Sequence, residues 1–600
     1  MRWVARLVRF FGGIAVMALA IPWLLFQLAL LLFIASALGF FGFMFLRTLV
    51  FGTPLLDDPT TLPGWLGLTI TLLASWSLAI LVWADMHGLG QLFAGRGHSH
   101  GSARFSSRKD RAAFRKGDGL LIGRDPENGQ LLRYDGPAHL LTLAPTRAGK
   151  GVGTIIPNLL TANRSVLVID PKGENARITY KARQGFGPVH ILDPFDITGL
   201  PAATCNPLDR LHPGHPDLGD EAISLAEALV MDPPGQVHDA HWNEEAKSLL
   251  AGLILFCICH ETADRKTLAS VREYLSLPAD RWAALLALMQ ESDAAGGLVA
   301  RAANRFAGKA DREAASVLSN AQRHTRFLDS PRIVAAMARS GVDFTELRQR
   351  VISIFLVLPP NRLDAYSRWL RLMVAQSLQD IARAAESPPA AHSASGTHQE
   401  PGDTPEAFTS ARNRPVSAAG APGNDQGLST ASGALQGRLT GAQPDLGPTL
   451  FLLDEFAALG RLEAVERGMG LMAGYGIQLW PILQDLNQLR DLYGARAGTF
   501  IANAAVHQVF GVNDLETAKW LSESIGKETV QSRSESFRPG ELVSTTTAPT
   551  ARDLMTPDEI MQLPDHLQLL RVQGRPVLLA EKLRYHADPE FRDLFAARPK

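Results

Sequence analysis

Cysteine is nearly missing from this 600-residue chain: it has three, too few for a disulfide-stapled fold. Cys257 and Cys259 lie along the apolar run that begins at Leu249. Residues two apart diverge on a helix, so they read as buried thiols rather than paired ligands, and nothing conflicts with a reducing compartment. A charge excess of either sign is missing as well. With 59 Lys and Arg against 60 Asp and Glu, the formal net charge is −1, which excludes a histone-like or basic-tail protein. Charge is wholly absent from Phe10 to Leu46 and from Gly64 to Ala84. Those two gaps account for a mean hydropathy of +0.01, high for a soluble enzyme. The length leaves room for roughly three or four units of about 150 residues each.

Crossing a membrane takes about 20 apolar residues, and both uncharged runs are that long. Arg2, Arg6 and Arg9 precede the first; Arg47 stands against Asp57 and Asp58 between them. From Met86 to Lys116 come Arg96, Arg104, Arg108, Lys109, Arg111, Arg115 and Lys116 against Asp110. Positive flanks remain cytoplasmic, so the number of spans is even. We therefore expect a membrane anchor over 1–85, with spans at about 11–46 and 64–84, then a basic juxtamembrane segment over 86–119. A cleaved signal peptide fits poorly, because the first run far exceeds an apolar segment of about 7–15 residues. His98 and His100 have metal-like spacing without acidic or cysteine partners and read as solvated.

The body reads as α/β. His139–Leu143 and Ser165–Ile169 are strand-like, with a helix starting at Gly151 between them. Over 211–344 apolar residues recur three and four apart, as with Trp242, Ala246, Leu249, Leu250 and Leu253. That pattern predicts an all-α insertion. Strand character returns at Val351–Leu358, followed by the helical Leu363–Ala382. Residues 386–447 contain no Ile, Met, Trp, Tyr or Cys and are crowded with Pro, Gly, Ser and Ala. Such a composition predicts a disordered insertion. From Thr449 onward α/β character resumes, so 120–210 and 345–600 form one expected domain around the insertions.

The segment Ala144-Pro145-Thr146-Arg147-Ala148-Gly149-Lys150-Gly151 follows a predicted strand and opens a predicted helix, the context of a phosphate-binding loop. Backbone N–H groups and the helix N-terminus hold phosphates in such a loop, and Lys150 reaches the β- and γ-phosphates. Ala144 replaces the pattern's first Gly. Gly151 replaces the Ser or Thr whose hydroxyl ordinarily meets Mg²⁺; Thr146, Thr154 and water are candidates to compensate. A nucleoside triphosphatase also needs carboxylates. Two apolar strands end in Asp: Ser165–Asp170, and Thr449–Glu455, which ends in the pair Asp454 and Glu455. We favour the pair, with Asp454 facing metal and Glu455 facing water; Asp170 also reads as a helix cap. Gln484 ends the apolar strand Ile477–Leu483 and reads either as a γ-phosphate or water sensor or as a structural amide.

Together these blocks resemble the TraG/TraD family of type IV secretion coupling proteins, membrane-anchored ATPases. The resemblance rests on GSARF at Gly101–Phe105, APTRAGKGVG at Ala144–Gly153, SVLVIDPKGE at Ser165–Glu174 and LVLPPNRL at Leu356–Leu363. It continues with FLLDEFAALG at Phe451–Gly460, FGVNDLETAKWLS at Phe510–Ser522 and GRPVLLAEKLRYHADPEF at Gly574–Phe591. It implies a RecA-like P-loop nucleotide-binding domain with an inserted all-α domain, preceded by two transmembrane helices. It implies ATP and Mg²⁺ as cofactors. Thr146, Arg147, Ala148, Gly149, Lys150 and Gly151 would bind the nucleotide, Asp454 the metal, and Glu455 and Gln484 would be catalytic. It further implies a homo-hexamer at the bacterial inner membrane, multi-pass with most of the chain cytoplasmic. Such an assembly passes a relaxase–DNA complex or effector proteins to a type IV secretion channel. Where some relatives carry an arginine finger, this chain reads MAGYG; Arg461 and Arg467 lie a little upstream. Two alternatives share these residues: a nucleotide-gated receptor or scaffold with little hydrolysis, and a septal-type DNA translocase, disfavoured by its usual larger number of spans.

Overall fold

The computed structural model describes residues 25–46, 48–49, 62–86, 100–231, 240–386, 446–536 and 544–595. They divide into two compact units: 1–102 with 528–552, and 103–527 with 553–600.

The first unit holds α1 (Leu25–Leu46) and α2 (Leu62–Met86). Helix α1 is long and apolar enough to cross a membrane, and little of it is covered. The apolar part of α2, Leu68–Trp83, is shorter. Among the described residues one helix thus meets the criteria of length and composition, where the sequence led us to expect two. Residues 11–24 of the first expected span lie outside the described residues. Small residues let the two helices approach: a Cβ on Gly39 would come within 2.7 Å of the Ser75 hydroxyl. Beside that contact, the Trp76 indole N–H donates to Ser36 Oγ at 2.8 Å. A two-stranded ribbon, Lys527–Ser536 with Ser544–Asp553, lies almost wholly in this unit.

The second unit is built on an eleven-stranded sheet. Its strands are β1 (Leu120–Arg124), β2 (Leu131–Tyr134), β3 (His139–Leu143), β4 (Val166–Ile169), β5 (Val189–Leu192), β6 (Ser353–Leu356), β7 (Thr449–Leu453), β8 (Ile477–Leu483) and β9 (Ala504–Val509). With the ribbon strands as β10 and β11, the last two are β12 (Leu567–Val572) and β13 (Leu578–Glu581). The order is β2-β1-β13-β12-β9-β3-β8-β7-β4-β6-β5. From β9 to β5 all neighbours are parallel; β12, β13, β1 and β2 extend the β9 side antiparallel. Every residue of β3, β4, β6, β7 and β8 is buried. A parallel sheet covered on both faces requires such unbroken apolar strands.

Helix α3 (Gly151–Thr161) follows β3 and α4 (Glu174–Phe186) follows β4. Arg183 of α4 is fully buried, with no carboxylate partner among the described residues. It donates to the carbonyls of Ala162 at 2.6 Å, Arg164 at 2.7 Å and Leu159 at 3.4 Å, and to Ser353 Oγ at 2.8 Å. A cation at a helix C-terminus completes the last carbonyls and complements the dipole, so Arg183 pins the far end of α3; burial pushes its pKa down to about 10.

From 203 to 352 the described residues form helices and turns and no strand. Among them are α5 (Leu218–Leu229), α6 (Ala240–His260), α7 (Ala294–Ala307) and α8 (Asp311–Thr325). On α6, Ala246, Leu249, Leu250 and Leu253 are buried, with Trp242 packed against the same core. Cys257 is buried and Cys259 half-buried on that helix. Helix α9 (Leu363–Glu386) follows β6. Of the segment expected to be disordered, 387–445 falls outside the described residues.

Candidate active site

The sheet order places β3, β8, β7 and β4 side by side and parallel. Their C-terminal ends deliver the loop 144–150, Gln484, the pair Asp454–Glu455, and Asp170 to one edge. In open α/β sheets that edge, where crossovers leave in opposite directions, is where ligands bind.

The loop after β3 turns through positive φ at Arg147 (66°) and Gly149 (92°). Ala148 N–H closes the turn on Pro145 O at 3.0 Å, and Gly153 N–H reaches Gly149 O at 2.8 Å. The first turn of α3, Gly151–Ile155, is wide: Ile156 N–H bonds to Gly151 O, five residues back. Such turns recur at functional sites. Lys150 Nζ lies 2.8 Å from Asp454 Oδ1 and 2.7 Å from Glu455 Oε1, so the sequence-distant lysine and acid pair meet. Glu455 sits at φ 49°, a strained setting for a side-chain-bearing residue, and its N–H bonds Asp454 Oδ1 at 3.0 Å. Burial lowers the Lys150 pKa, but Asp454 and Glu455 more than offset this and hold it above the ordinary lysine value. Burial dominates at Asp454, raising its carboxyl above the usual range against the pull of Lys150.

Thr146 and Arg147 are exposed, while Ala148, Gly149, Lys150 and Gly151 are half-buried. Thr146 Oγ1 lies 3.4 Å from Gln484 Oε1, a long contact between loop and strand end. Gln484 is half-buried, and its N–H is taken by Gln488 Oε1 at 3.0 Å. The alternative hydroxyl, Thr154, points the other way. It is fully buried and donates to Gln508 Oε1 at 3.0 Å. Asp170 is buried and accepts the Ala176 N–H at 2.8 Å, so it caps α4. Burial pushes its pKa up to about 7, and the nearby Asp454 charge adds to the effect. Arg461 and Arg467 line a different, water-sized pocket with Arg371, facing Glu463, Glu466 and Glu227. The MAGYG segment ends at the start of β8, opposite Gln484 on that strand.

Two groups of residues went unsingled in the sequence. Beneath the loop, Gln508 accepts from Thr142 Oγ1 at 2.8 Å as well as from Thr154, and donates to Gln568 Oε1 at 2.9 Å and Ile122 O at 3.3 Å. Beside it, Lys582 beyond β13 donates to Phe510 O at 2.6 Å and Ala148 O at 3.3 Å. A polar residue ending an apolar strand was the available signal for Lys582, as for Gln484; that β13 returns to this edge is a property of sheet order. Lys582 also lines a cleft of about 470 Å³ formed by Pro145–Gly149, Phe510–Asn513, the stretch around Leu563, and Leu583, Arg584 and His586.

A family model described as "Type IV secretory system Conjugative DNA transfer" matches residues 91–389 and 430–598. The conjugal transfer protein TraG of Escherichia coli is 27% identical over 547 residues, covering 82% of this chain and 77% of its own. VirD4 of Rhizobium radiobacter is 26% identical over 487 residues, 78% of this chain and 60% of its own. Among solved structures, the plasmid coupling protein TrwB in complex with ADP and Mg²⁺ aligns with a TM-score of 0.54 at 16% identity, over 80% of this chain and 94% of that one. TrwB with a non-hydrolysable ATP analogue aligns with the same score over 84% and 99%. The likeness shows a P-loop, RecA-like α/β fold.

Proposed function

The chain belongs to the type IV secretory system conjugative DNA transfer family, the TraG/TraD-type coupling proteins, and on that premise we propose that it is a Mg²⁺-dependent ATPase that delivers transfer substrates to a secretion channel. The observation that carries the reading is the convergence of Lys150, Asp454 and Glu455 within 2.8 Å at the C-terminal edge of the sheet. The donor set fits the nucleotide. A lysine beside the glycine-rich turn suits β- and γ-phosphates, and the hard carboxylate oxygen of Asp454 suits Mg²⁺. When bound, the metal–nucleotide pair supplies an electrophilic phosphorus with its charge partly neutralised.

The chain's own groups do the rest. Lys150 would exchange the Asp454 and Glu455 carboxylates for phosphate oxygens, which would leave both carboxylates free. A Glu455 carboxylate oxygen then accepts a proton from the attacking water. Gln484, next to Thr146, orients that water or senses the γ-phosphate. Thr146 replaces the hydroxyl missing at Gly151. Residues 211–344 serve as a helical domain inserted in the RecA-like domain, 120–210 with 345–600. The 1–85 segment anchors the chain by two spans in the bacterial inner membrane. Subunits assemble as a hexamer, with a relaxase–DNA complex or effector proteins as cargo. The family likeness supports the assembly and cargo, and the charge pattern supports the anchor.

A second reading, a nucleotide-gated receptor with little turnover, is favoured by Gly151 and by the grip of both carboxylates on Lys150. Titrating the detergent-solubilised full chain with a Mg²⁺-bound, non-hydrolysable ATP analogue tests what the two readings share. Lys150→Ala should weaken binding at least ten-fold, and unchanged binding would remove the nucleotide site from this loop.

A further inference from the structure

We infer that Lys582 is a positioning residue for the phosphate loop, holding its central peptide so that the Gly149 N–H faces the phosphates. The inference rests on the nucleotide-binding reading above. The peptide between Ala148 and Gly149 is one planar unit in which C=O and N–H point in opposite directions. Lys582 Nζ donates to Ala148 O at 3.3 Å, which fixes the carbonyl on the β13 side and thereby turns the Gly149 N–H away from it. Gly149 takes φ 92°, which only glycine adopts readily, so the loop needs an external hold on that peptide.

Lys582 is itself held. It donates to Phe510 O at 2.6 Å and stands 4.9 Å from the centre of the Phe510 ring, a cation–π distance. The residues after it continue along α3. Leu583 O lies where a Cβ on Gly153 would be 2.9 Å away, and Tyr585 N–H reaches Val152 O at 3.4 Å. The Phe510 ring lies against the same glycine, at 3.2 Å from that Cβ position. The chain beyond β13 therefore straps the loop and the first turn of its helix, and Lys582 is the strap's contact with the loop peptide itself.

In a phosphate loop the backbone N–H groups cradle the α- and β-phosphates, which ADP and ATP share. Loss of Lys582 should then weaken both nucleotides alike. The test uses the detergent-solubilised full chain, titrated with ADP and with a non-hydrolysable ATP analogue, each with Mg²⁺, for wild type, Lys582→Met, Lys582→Gln, Lys582→Arg and Lys150→Ala. We expect Lys582→Met to lose affinity about ten-fold for both ligands, with the nucleotide-free melting temperature within a few degrees of wild type. Lys582→Arg, which restores a charged donor, should recover most of the loss. Lys582→Gln, a neutral donor, covers the case in which the Met variant fails to fold, and should fall between the Met and Arg variants. Affinity unchanged in both Met and Gln variants overturns the inference, as does a loss confined to the ATP analogue, which would mean direct contact with the γ-phosphate. Failure of wild type to bind, or no effect of Lys150→Ala, would overturn the underlying nucleotide reading instead.

Discussion

Replacing Gln508 with Leu removes the centre of the polar cluster beneath the phosphate loop. Gln508 is fully buried and makes four hydrogen bonds, accepting from Thr142 and Thr154 and donating to Gln568 and Ile122. Leucine fills nearly the same volume and offers none. Ile122 O keeps its bond from Gln568 Nε2 at 3.0 Å, so the groups left unpaired are the hydroxyl protons of Thr142 and Thr154 and Gln568 Oε1. An unsatisfied buried polar group costs about 1–3 kcal/mol. Thr154 sits in a helix, where its hydroxyl can turn back to the carbonyl four residues earlier, which puts the sum near the lower end, about 3–5 kcal/mol. That is a large share of a stability of about 5–15 kcal/mol. Urea titration of the detergent-solubilised chain reads the loss directly. A double variant adds the decisive contrast: Thr154→Val alone should cost about 1 kcal/mol, yet add almost nothing to Gln508→Leu, because the Thr154–Gln508 hydrogen bond it removes is already gone. A loss below about 1 kcal/mol for Gln508→Leu, or strictly additive losses, would refute the network.

Thr154→Val should leave Mg²⁺-dependent hydrolysis within about three-fold of wild type, since its hydroxyl is turned into the sheet; a collapse of activity with normal stability would make Thr154 the metal's hydroxyl after all. Gly153→Ala should cost about 1–3 kcal/mol by thermal melting, because its Cβ would meet Leu583 O at 2.9 Å, whereas Gly151→Ser, with nothing within 4 Å, should stay within about 0.5 kcal/mol. Asp170 gives an unusual pH dependence. Its folded pKa, about 7, exceeds the ordinary value of 3.8, so between those values the folded chain binds more protons than the unfolded one and stability falls as pH rises. The shift corresponds to at most about 4 kcal/mol; Asp170→Asn should flatten the stability profile between pH 4 and pH 7, and an unchanged slope would mean that Asp170 ionises normally.

What could be read from the sequence was local. The runs His139–Leu143, Thr449–Leu453 and Ile477–Leu483 are legible as strands because buried parallel strands are unbroken apolar runs, each stopped by a polar or turn residue. Helix α6 is legible from one apolar face. Lys150 could be singled out from the glycine-rich turn between a strand and a helix, and the acid pair because it stands at a strand end. Their meeting depends on β8 and β7 lying next to β3, which no local pattern encodes. Thr154 was a poor candidate for the same reason: four residues past the lysine, its direction is set by the turn of α3 over Gln508, far away in sequence. Lys582 and Gln508 share that character, since each acts at the loop only because β9, β12 and β13 close that side of the sheet. The second membrane span rested on the uncharged run Gly64–Ala84 together with charge counting, and the structure offers α2 with a shorter apolar stretch than α1.

Whether Glu455 performs chemistry at a nucleotide held by Lys150 is read from steady-state ATP hydrolysis by Glu455→Gln. Glutamine keeps the shape and removes the base, so the purified full-length variant should bind the Mg²⁺-bound ATP analogue at least as tightly as wild type while hydrolysing ATP at least a hundred-fold more slowly, a loss of about 2.7 kcal/mol of transition-state stabilisation. Wild-type turnover in Glu455→Gln would exclude Glu455 as the base.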